Sequence, residues 1–379
     1  MRHFLRLITV LVMLWGCSSS DNGTTMSDDV DPGPPSQSFE RRPMLINWAD
    51  NIIIPGYEAF TDELDKLQIA FDDFKQDSNE ANLLAFRTAW LDSYLMWQRI
   101  DMFEIGPAEN VGLRLNVNIY PVDFEKVEQH VASGDYDLTL PSNRDTKGFP
   151  ALDYLINGLG DSDADIVSKY NELASKDNYI AYVEAVLADM QQLSNTVLSD
   201  WKEGYRDTFV NNDGSSSTAS VDRFVNDYIF YYEKFLRAGK MGIPLGVFSG
   251  TPLPENVEAY HKGDVSKQLF LEGLDAVQDF FNGRHFASST TGEGLASYLD
   301  ALNALKEGED LNKIINDQFD TARESVNGLG AFRTEIEDNT PPTTMLQAYD
   351  EVQRAVPLLK VDMVSAMSIS IDFVDADGD

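Results

Sequence analysis

Large apolar residues recur every three or four positions along most of the chain. One run consists of Leu83, Phe86, Trp90, Tyr94 and Trp97. This spacing places the five side chains on one face of a long helix, which Ser78 or Asn79 would cap. Segments that alternate apolar and polar residues, as half-buried strands do, are nearly absent from the sequence.

The same spacing recurs in six more segments. They span residues 57–74, 179–201, 224–237, 295–305, 315–326 and 345–356. Amphipathic helices joined by short turns are typical of antiparallel bundles. Because seven or more helices exceed one four-helix bundle, the pattern predicts an all-α fold of two packed domains, each resembling a four-helix bundle.

Polar segments indicate where the chain divides. Residues 211–220, NNDGSSSTAS, separate a first predicted bundle at 43–210 from a second at 221–375. Glycine and proline in MGIPLGVFSGTPLPE, residues 241–255, exclude a continuous helix there. Residues 18–42 are rich in Ser, Asp, Gly and Pro, with almost no large apolar residue, and predict a disordered tether.

Residues 1–17 predict a lipoprotein signal peptide with a lipobox. A basic start containing Arg2 and Arg6 precedes an apolar run that is too short for a stable membrane span. LWGC at 14–17 resembles a bacterial lipobox, and Cys17, the only cysteine, is followed by the polar tether. We therefore expect an outer-membrane-anchored lipoprotein, periplasmic or at the cell surface, attached through lipid on Cys17.

Charge excludes some classes of partner. The 379-residue chain has a formal net charge of −34, which becomes −36 when residues 1–16, with Arg2 and Arg6, are removed. Such a chain repels nucleic acid and anionic headgroups, so we expect no nucleic-acid partner. Lipidation of Cys17 would leave no thiol for a disulfide or a cysteine nucleophile.

GFPALDYL at 148–155 contains the first candidate site residue, Asp153. Pro150 suits the first turn of a helix because its missing N–H would be unpaired there. A carboxylate at Asp153 is favoured near the positive end of the helix dipole. The stretch is therefore either a well-formed helix start or part of a site.

Two other loops carry candidate polar groups. NIYPVD at 118–123 offers Asn118, Tyr120 and Asp123, although Asp123 is equally suited to cap the next helix. FLRAGKMGIPLG at 235–246 offers Arg237 and Lys240, which could instead stabilise the carbonyl groups of a helix end. Arg114 and Glu104 flank a similar loop and are weaker candidates.

Known metal and nucleophile motifs are poorly matched. His130, His261 and His285 do not form an H-E-x-x-H pattern. DSDADIVSKYNE at 161–172 places acids as a calcium loop does, but Ile166 occupies the position of the required glycine, so calcium is not favoured. DADGD at 375–379 also begins like a calcium loop. G-x-S-x-G and phosphate-loop motifs are absent from the sequence.

Several segments resemble proteins of the imelysin family, in particular imelysin-like lipoproteins of Bacteroidetes-type bacteria. They are NWADNIIIPGYEAF (47–60), AWLDSYLMWQ (89–98), NIYPVD (118–123), YIFYYEKFLRAGKMGIPLG (228–246) and QRAVPLLKVDMVSA (353–366). The family signature G-x-H-x-x-E aligns with Gly148, with Pro150 in place of histidine and with Asp153 in place of glutamate. The resemblance implies two four-helix-bundle domains with a site at their interface and a link to bacterial iron uptake.

The family was named for a proposed metallopeptidase activity. A zinc peptidase needs about three protein ligands, an open coordination position and a general base. Proline offers no lone pair to a metal, and aspartate is one methylene shorter than glutamate. The sequence therefore disfavours a zinc metallopeptidase, and whether the chain is an enzyme stays open.

The preferred hypothesis is an envelope lipoprotein that binds iron, or an iron-bearing partner, in a polar pocket between two bundles. The candidate binding residues are Asp153, Tyr120, Asp123, Asn118, Arg237, Lys240 and Arg114. Oxygen ligands for the metal would come from Asp153, Tyr120 and Asp123, with Arg237 or Lys240 balancing charge. The alternatives are the metallopeptidase and a non-catalytic adaptor for an outer-membrane or surface receptor.

Overall fold

Helices make up nearly all the regular structure in a computed structural model, which describes residues 39–172 and 174–372. The first half contains α1 Arg41–Asn47, α2 Ile54–Gln76, α3 Glu80–Ile100, α4 Pro107–Val111, α5 Leu113–Val117, α6 Phe124–Ser133, α7 Gly148–Asp153, α8 Asp163–Asn171, α9 Lys176–Asp200 and α10 Arg206–Asn211. The second contains α11 Ser220–Phe230, α12 Ser266–Phe281, α13 Leu295–Ala301, α14 Leu311–Asn327, α15 Phe332–Glu337, α16 Thr343–Pro357 and α17 Val364–Met367. The predicted all-α fold is confirmed.

Wider π-helical turns extend several of these helices. They are Trp48–Ile53, Tyr154–Gly158, Trp201–Tyr205, Tyr231–Gly242 and Leu358–Met363. Short 3₁₀ turns occur at Pro141–Thr146 and Pro254–Asn256. The strands β1 Leu305–Lys306 and β2 Glu309–Asp310 pair antiparallel, with Leu305 opposite Asp310. Leu305 was predicted on a helical stripe, but it lies in this hairpin and is 64% exposed, because the helix ends before it.

The core consists of the predicted apolar stripes. Helix α2 packs against α3 and α9, α3 also packs against α12, and α14 lies between α12 and α16. The fully buried side chains include Trp48, Trp90, Trp97, Trp201, Tyr57 and Phe60. The contact of α3 with α12 links the two halves of the sequence, so the helices on either side of 211–220 share one core.

The linker predicted at 211–220 lies within the described residues, whereas most of the predicted tether and the signal peptide do not. Residues 211–220 connect α10 with α11, and the division into two bundles stays a prediction. Helix α1 begins inside the predicted tether, because Arg41 donates to Asp222 at 2.6 Å. The signal peptide, Cys17, the tether up to residue 38 and DADGD at 375–379 lie outside the described residues. Within the described part, the helices are too short or too polar to cross a bilayer.

Candidate functional site

A cavity of about 230 Å³ opens beside α7, where the 118–123 loop meets residues 254–263. Residues 254–263, here termed the wall segment, precede α12. The cavity is lined by Tyr120, Pro121, Val122, Phe124, Pro150, Asp153, Glu255, Val257, Ala259, Tyr260 and His261. Most of these side chains are apolar or aromatic, so the cavity is less polar than the pocket expected from the sequence.

Gly148 allows α7 to approach the chain that leads into the 118–123 loop. Its φ is +70°, and a Cβ at this position would lie 2.0 Å from the carbonyl oxygen of Val117. Glycine alone tolerates both this conformation and this distance. Because Val117 directly precedes the loop, the close approach brings Tyr120 beside Pro150 and Asp153. Pro150 lies in the first turn of α7, as predicted.

Asp153 is buried and its carboxylate is fully engaged. It accepts the backbone N–H groups of His261 at 2.8 Å and Lys262 at 2.9 Å, and the side-chain amide of Asn157 at 3.0 Å. Burial raises the pKa of Asp153 to about 7, although these donors lower it. Asp153 therefore fastens the wall segment to α7 and lines the same cavity as Tyr120.

Tyr120 is half-buried and contributes an unpaired hydroxyl. This oxygen would lie 3.4 Å from a Cβ at Gly239, and none of the described residues hydrogen-bonds it. Burial raises the pKa of Tyr120 well above its ordinary value, and the nearby Glu258 raises it further. The phenol is therefore protonated at neutral pH. Asn118, two residues earlier, accepts from the Tyr94 hydroxyl at 2.6 Å and donates to Glu258 at 2.8 Å.

A buried ion pair supports the wall segment from the other side. Lys240 donates to Glu258 at 2.5 Å, and the two side chains are 2% and 1% exposed. Gln98 and Asn118 donate to the other carboxylate oxygen of Glu258. Lys240 is therefore committed to the interior, and it does not line the cavity.

Arg114 forms a separate buried cluster. Its Nε donates to Asp101 at 3.0 Å, its Nη2 lies 3.6 Å from Asp227, and its backbone N–H donates to Glu104 at 3.0 Å. Burial raises the pKa of Glu104 to about 7 and that of Asp227 to about 6, while Arg114 lowers both. This cluster lies outside the cavity lining.

Asp123 and Arg237 also lie outside the cavity, so only Asp153 and Tyr120 of the seven candidate binding residues line it. Asp123 is exposed and accepts the backbone N–H of Lys126 at 3.0 Å, so it caps α6, which was its alternative role. Arg237 is buried and donates to the Tyr349 hydroxyl at 2.8 Å and to Gln353. The lining of the cavity includes neither residue.

The described residues do not assemble the ligands that a zinc or bare iron site needs. Within 39–172 and 174–372, no three His, Cys, Asp or Glu side chains lie together as a metal site would require. Of His130, His261 and His285, only His261 lines the cavity. In the segment 161–172, Asp163 and Asp165 lie in the first turn of α8 and Glu172 at its C-terminal end. Ser162 is the N-terminal cap, and Asp163 pairs with Arg87 at 2.7 Å.

Sequence reasoning missed the wall segment. Tyr260, His261 and Glu255 line the cavity, and Glu258 pairs with Lys240. Burial, with Arg333 nearby, lowers the pKa of His261 to about 4, so its imidazole is neutral at pH 7. The only local signal was a cluster of Glu, Tyr and His residues directly after the Gly- and Pro-rich break at 241–255.

The chain is similar to known proteins in sequence and in fold. The family model described as Imelysin matches residues 53–356. Over 122 residues the chain is 26% identical to "Iron-regulated protein A" of Synechococcus elongatus, covering 32% of this chain and 33% of that protein. The chain thus aligns with about a third of the length of this curated relative.

Two crystal structures are similar over nearly their whole length. A candidate iron-regulated protein A precursor from Parabacteroides distasonis superposes with a TM-score of 0.68 at 16% identity, covering 87% of this chain and 96% of that one. An imelysin-like protein from Psychrobacter arcticum gives a TM-score of 0.66 at 14% identity, covering 88% and 97%. At these identities the likeness shows a shared fold.

Proposed function

The chain belongs to the imelysin family, and on that premise we propose that it is an iron-linked binding protein rather than a peptidase. Its ligand site is the cavity between α7 and the wall segment. The observation that carries this proposal is the engagement of Asp153, whose carboxylate accepts three N–H groups instead of standing free for a metal.

The cavity contains too few metal-ligating side chains for a zinc peptidase. Zinc hydrolases use about three protein ligands and a general base. Pro150 cannot ligate, Asp153 is engaged, and His261 is the one imidazole in the lining. Glu255 is the remaining carboxylate and lies exposed at the rim. A single histidine and one exposed carboxylate do not hold a catalytic zinc.

The lining supports an organic ligand rather than a bare ion. Ligand pockets are mostly apolar with a few placed polar groups, and here most of the lining is aromatic or aliphatic, with Asp153 and Glu255 as its acidic groups. An iron-bearing ligand would enter as an organic complex that brings its own donor atoms. The link to iron rests on the names of the relatives in Synechococcus elongatus and Parabacteroides distasonis.

We also propose attachment to the outer membrane through lipid on Cys17, with an uptake receptor as partner. The lipobox-like LWGC and the polar stretch after it support this. Metabolic labelling with a fatty-acid analogue and detergent phase partition test the anchor. We expect the native chain to be labelled and the Cys17→Ser variant to remain unlabelled. A native chain without label would overturn the proposed lipid anchor.

The binding proposal is tested on the purified chain with ferric and ferrous iron, calcium, zinc and a panel of iron chelates of different charge. Equilibrium dialysis with metal analysis measures uptake. Val122→Trp fills the cavity at its half-buried rim, and Val361→Trp is the matched control because Val361 is 57% exposed and outside the lining. We expect a chelate to bind the native chain and Val361→Trp but not Val122→Trp.

Other outcomes overturn the proposal in distinct ways. Bare iron binding that Val122→Trp leaves unchanged would place the site elsewhere. Hydrolysis of a peptide library that a chelator stops and Val122→Trp abolishes would restore the peptidase. If no iron-bearing compound of the panel binds, the proposed link to iron is wrong.

A further inference from the structure

We propose that the cavity selects an organic cation, namely an amine carried on a small aromatic or apolar body. This inference rests on the proposed function in one respect, since it takes the cavity beside α7 as the ligand site. It adds the charge and the shape of what binds there. Three features of the cavity support it, namely its charged groups, its aromatic faces and its size.

The charged groups of the lining are acidic. Among the lining residues Asp153 and Glu255 carry carboxyl groups, and the lining contains no lysine or arginine. Glu255 is exposed at the mouth and has no ion-pair partner among the described residues. An entering anion would meet Glu255 without a compensating cation, whereas an entering ammonium would gain a counter-charge.

The cations nearest to the cavity are engaged elsewhere. Lys262, next to His261 in the chain, pairs with Asp264 at 2.5 Å. Arg333 lies over the ring of Tyr260 at 4.2 Å, and its Nε pairs with Glu337 at 2.8 Å. Neither side chain is among the lining residues, so neither offers the interior a positive group to hold an anion.

Aromatic faces supply a second interaction with a cation. Tyr120 and Phe124 line the cavity, and Phe124 is 48% exposed. One face of the third aromatic ring, Tyr260, is already covered by Arg333. A ligand cation over the ring of Tyr120 or Phe124 gains about 0.5–2 kcal/mol, depending on how far it is desolvated. Because the His261 imidazole is neutral at pH 7, it adds an uncharged ring rather than a repelling cation.

Asp153 provides the polar group inside the cavity, because the Tyr120 hydroxyl lies toward Gly239, which is outside the lining. An ammonium near Asp153 would also stabilise the ionised carboxyl group, so binding would release a proton from it near neutral pH.

The size of the cavity restricts the ligand to one ring with a short chain. Engineered cavities of about 150 Å³ hold benzene, and this cavity has about 230 Å³. A phenyl ring bearing a two-carbon ammonium chain matches the remaining space. A larger iron complex would place only such an arm inside and leave its metal outside.

The test compares three probes that share a phenylethyl group, namely phenethylammonium, 2-phenylethanol and 3-phenylpropionate. Titration calorimetry at pH 7.5 measures their affinity for the native chain. We expect the ammonium to bind about tenfold more tightly than the alcohol, and the carboxylate to bind more weakly than both. Val122→Trp should abolish binding of all three.

Variants separate the contributions to binding. Glu255→Gln should weaken binding of the ammonium three- to tenfold and leave binding of the alcohol unchanged. Glu80 is an exposed acid on α3, so Glu80→Gln is the control for the change in net charge. Circular dichroism confirms that each variant is folded.

The outcomes distinguish this inference from the proposed function. If the alcohol or the carboxylate binds best and Val122→Trp abolishes that binding, the cavity is a ligand site but the inferred charge is wrong. If none of the three probes binds, the inference is wrong. Iron chelates that still bind in a manner sensitive to Val122→Trp would then leave the proposed function standing.

Discussion

Asp153 fastens two segments of the chain to each other and does not stand free to bind a metal. The family pattern has glutamate there, and the sequence suggested a metal ligand. The shorter carboxylate instead accepts two backbone N–H groups of the wall segment. A buried carboxylate with three donors is a structural clamp, and its negative charge still contributes to the potential of the cavity.

Removal of this clamp should loosen the wall segment. Asp153→Ala leaves the N–H groups of His261 and Lys262 without their acceptor, and we expect a loss of about 2–3 kcal/mol in the free energy of unfolding. Asp153→Asn keeps one acceptor oxygen and should lose less. Urea unfolding followed by tryptophan fluorescence measures both. Equal losses in the two variants would contradict the assignment of the role to the carboxylate oxygens.

Pro150 occupies a position in the lining where the resembling family has a histidine. It lies one helical turn before Asp153, and the lining also contains His261 and Glu255. Pro150→His would place a second imidazole there, and with Glu255 as a third ligand we expect zinc to stabilise this variant. Zinc at one hundred times its Kd would add about 2.7 kcal/mol. Pro150→Ala is the control, and an equal zinc response in both variants would contradict the prediction.

Between helices, Gly148 sets how closely α7 approaches the end of α5. Gly148→Ala combines a left-handed φ with a Cβ that would lie 2.0 Å from the Val117 carbonyl oxygen. We expect a loss of about 2–5 kcal/mol, since strain adds to overpacking. Gly134→Ala is a matched control, because φ is +65° and the added Cβ meets nothing within 4 Å. It should lose only about 1–2 kcal/mol, the cost of the left-handed conformation.

The pair of Lys240 and Glu258 links the π-helical segment Tyr231–Gly242 to the wall segment. Lys240→Met leaves the buried Glu258 carboxylate without its counter-charge, which should cost about 3–5 kcal/mol in the free energy of unfolding. The double variant Lys240→Met, Glu258→Gln should recover part of this loss. Lys313→Met removes an exposed lysine paired with Asp317 and should show no measurable change in urea unfolding. A single variant as stable as the double one would contradict the prediction.

The helices could be predicted from the sequence, but the wall segment could not. The stripe around Trp90 and Trp97 needs only local spacing, because burial of one face forces helical periodicity. Asp153 became a candidate through the resemblance to the family signature, and Tyr120 through its place in a polar loop that also resembles the family. Glu258 and His261 meet Asn118 and Asp153 only through tertiary contacts more than 100 residues apart in sequence. Local patterns carry no signal of such pairings.

Buried acids give the protein as a whole an unusual response to pH. Burial raises the pKa of Asp153 and Glu104 to about 7 and that of Asp227 to about 6. Unfolded carboxyl groups titrate near pH 4, so between about pH 4 and 7 the folded state holds more protons at these three groups. Stability therefore falls as pH rises through this range. His261 acts in the opposite direction, because its folded pKa of about 4 lies below the unfolded value.

The contribution of the three carboxyl groups to the pH dependence exceeds that of the one imidazole. We therefore expect the free energy of unfolding to fall by at least about 1 kcal/mol between pH 5 and 7. Repulsion within a chain of net charge −34 acts in the same direction. Urea unfolding across this range measures the slope, which should become shallower in Asp153→Asn and in Glu104→Gln. Asp161→Asn changes an exposed acid with the same loss of charge and should leave the slope as it is. A free energy of unfolding that rises between pH 5 and 7 would contradict the prediction. It would mean that these carboxyl groups are ionised across the whole range.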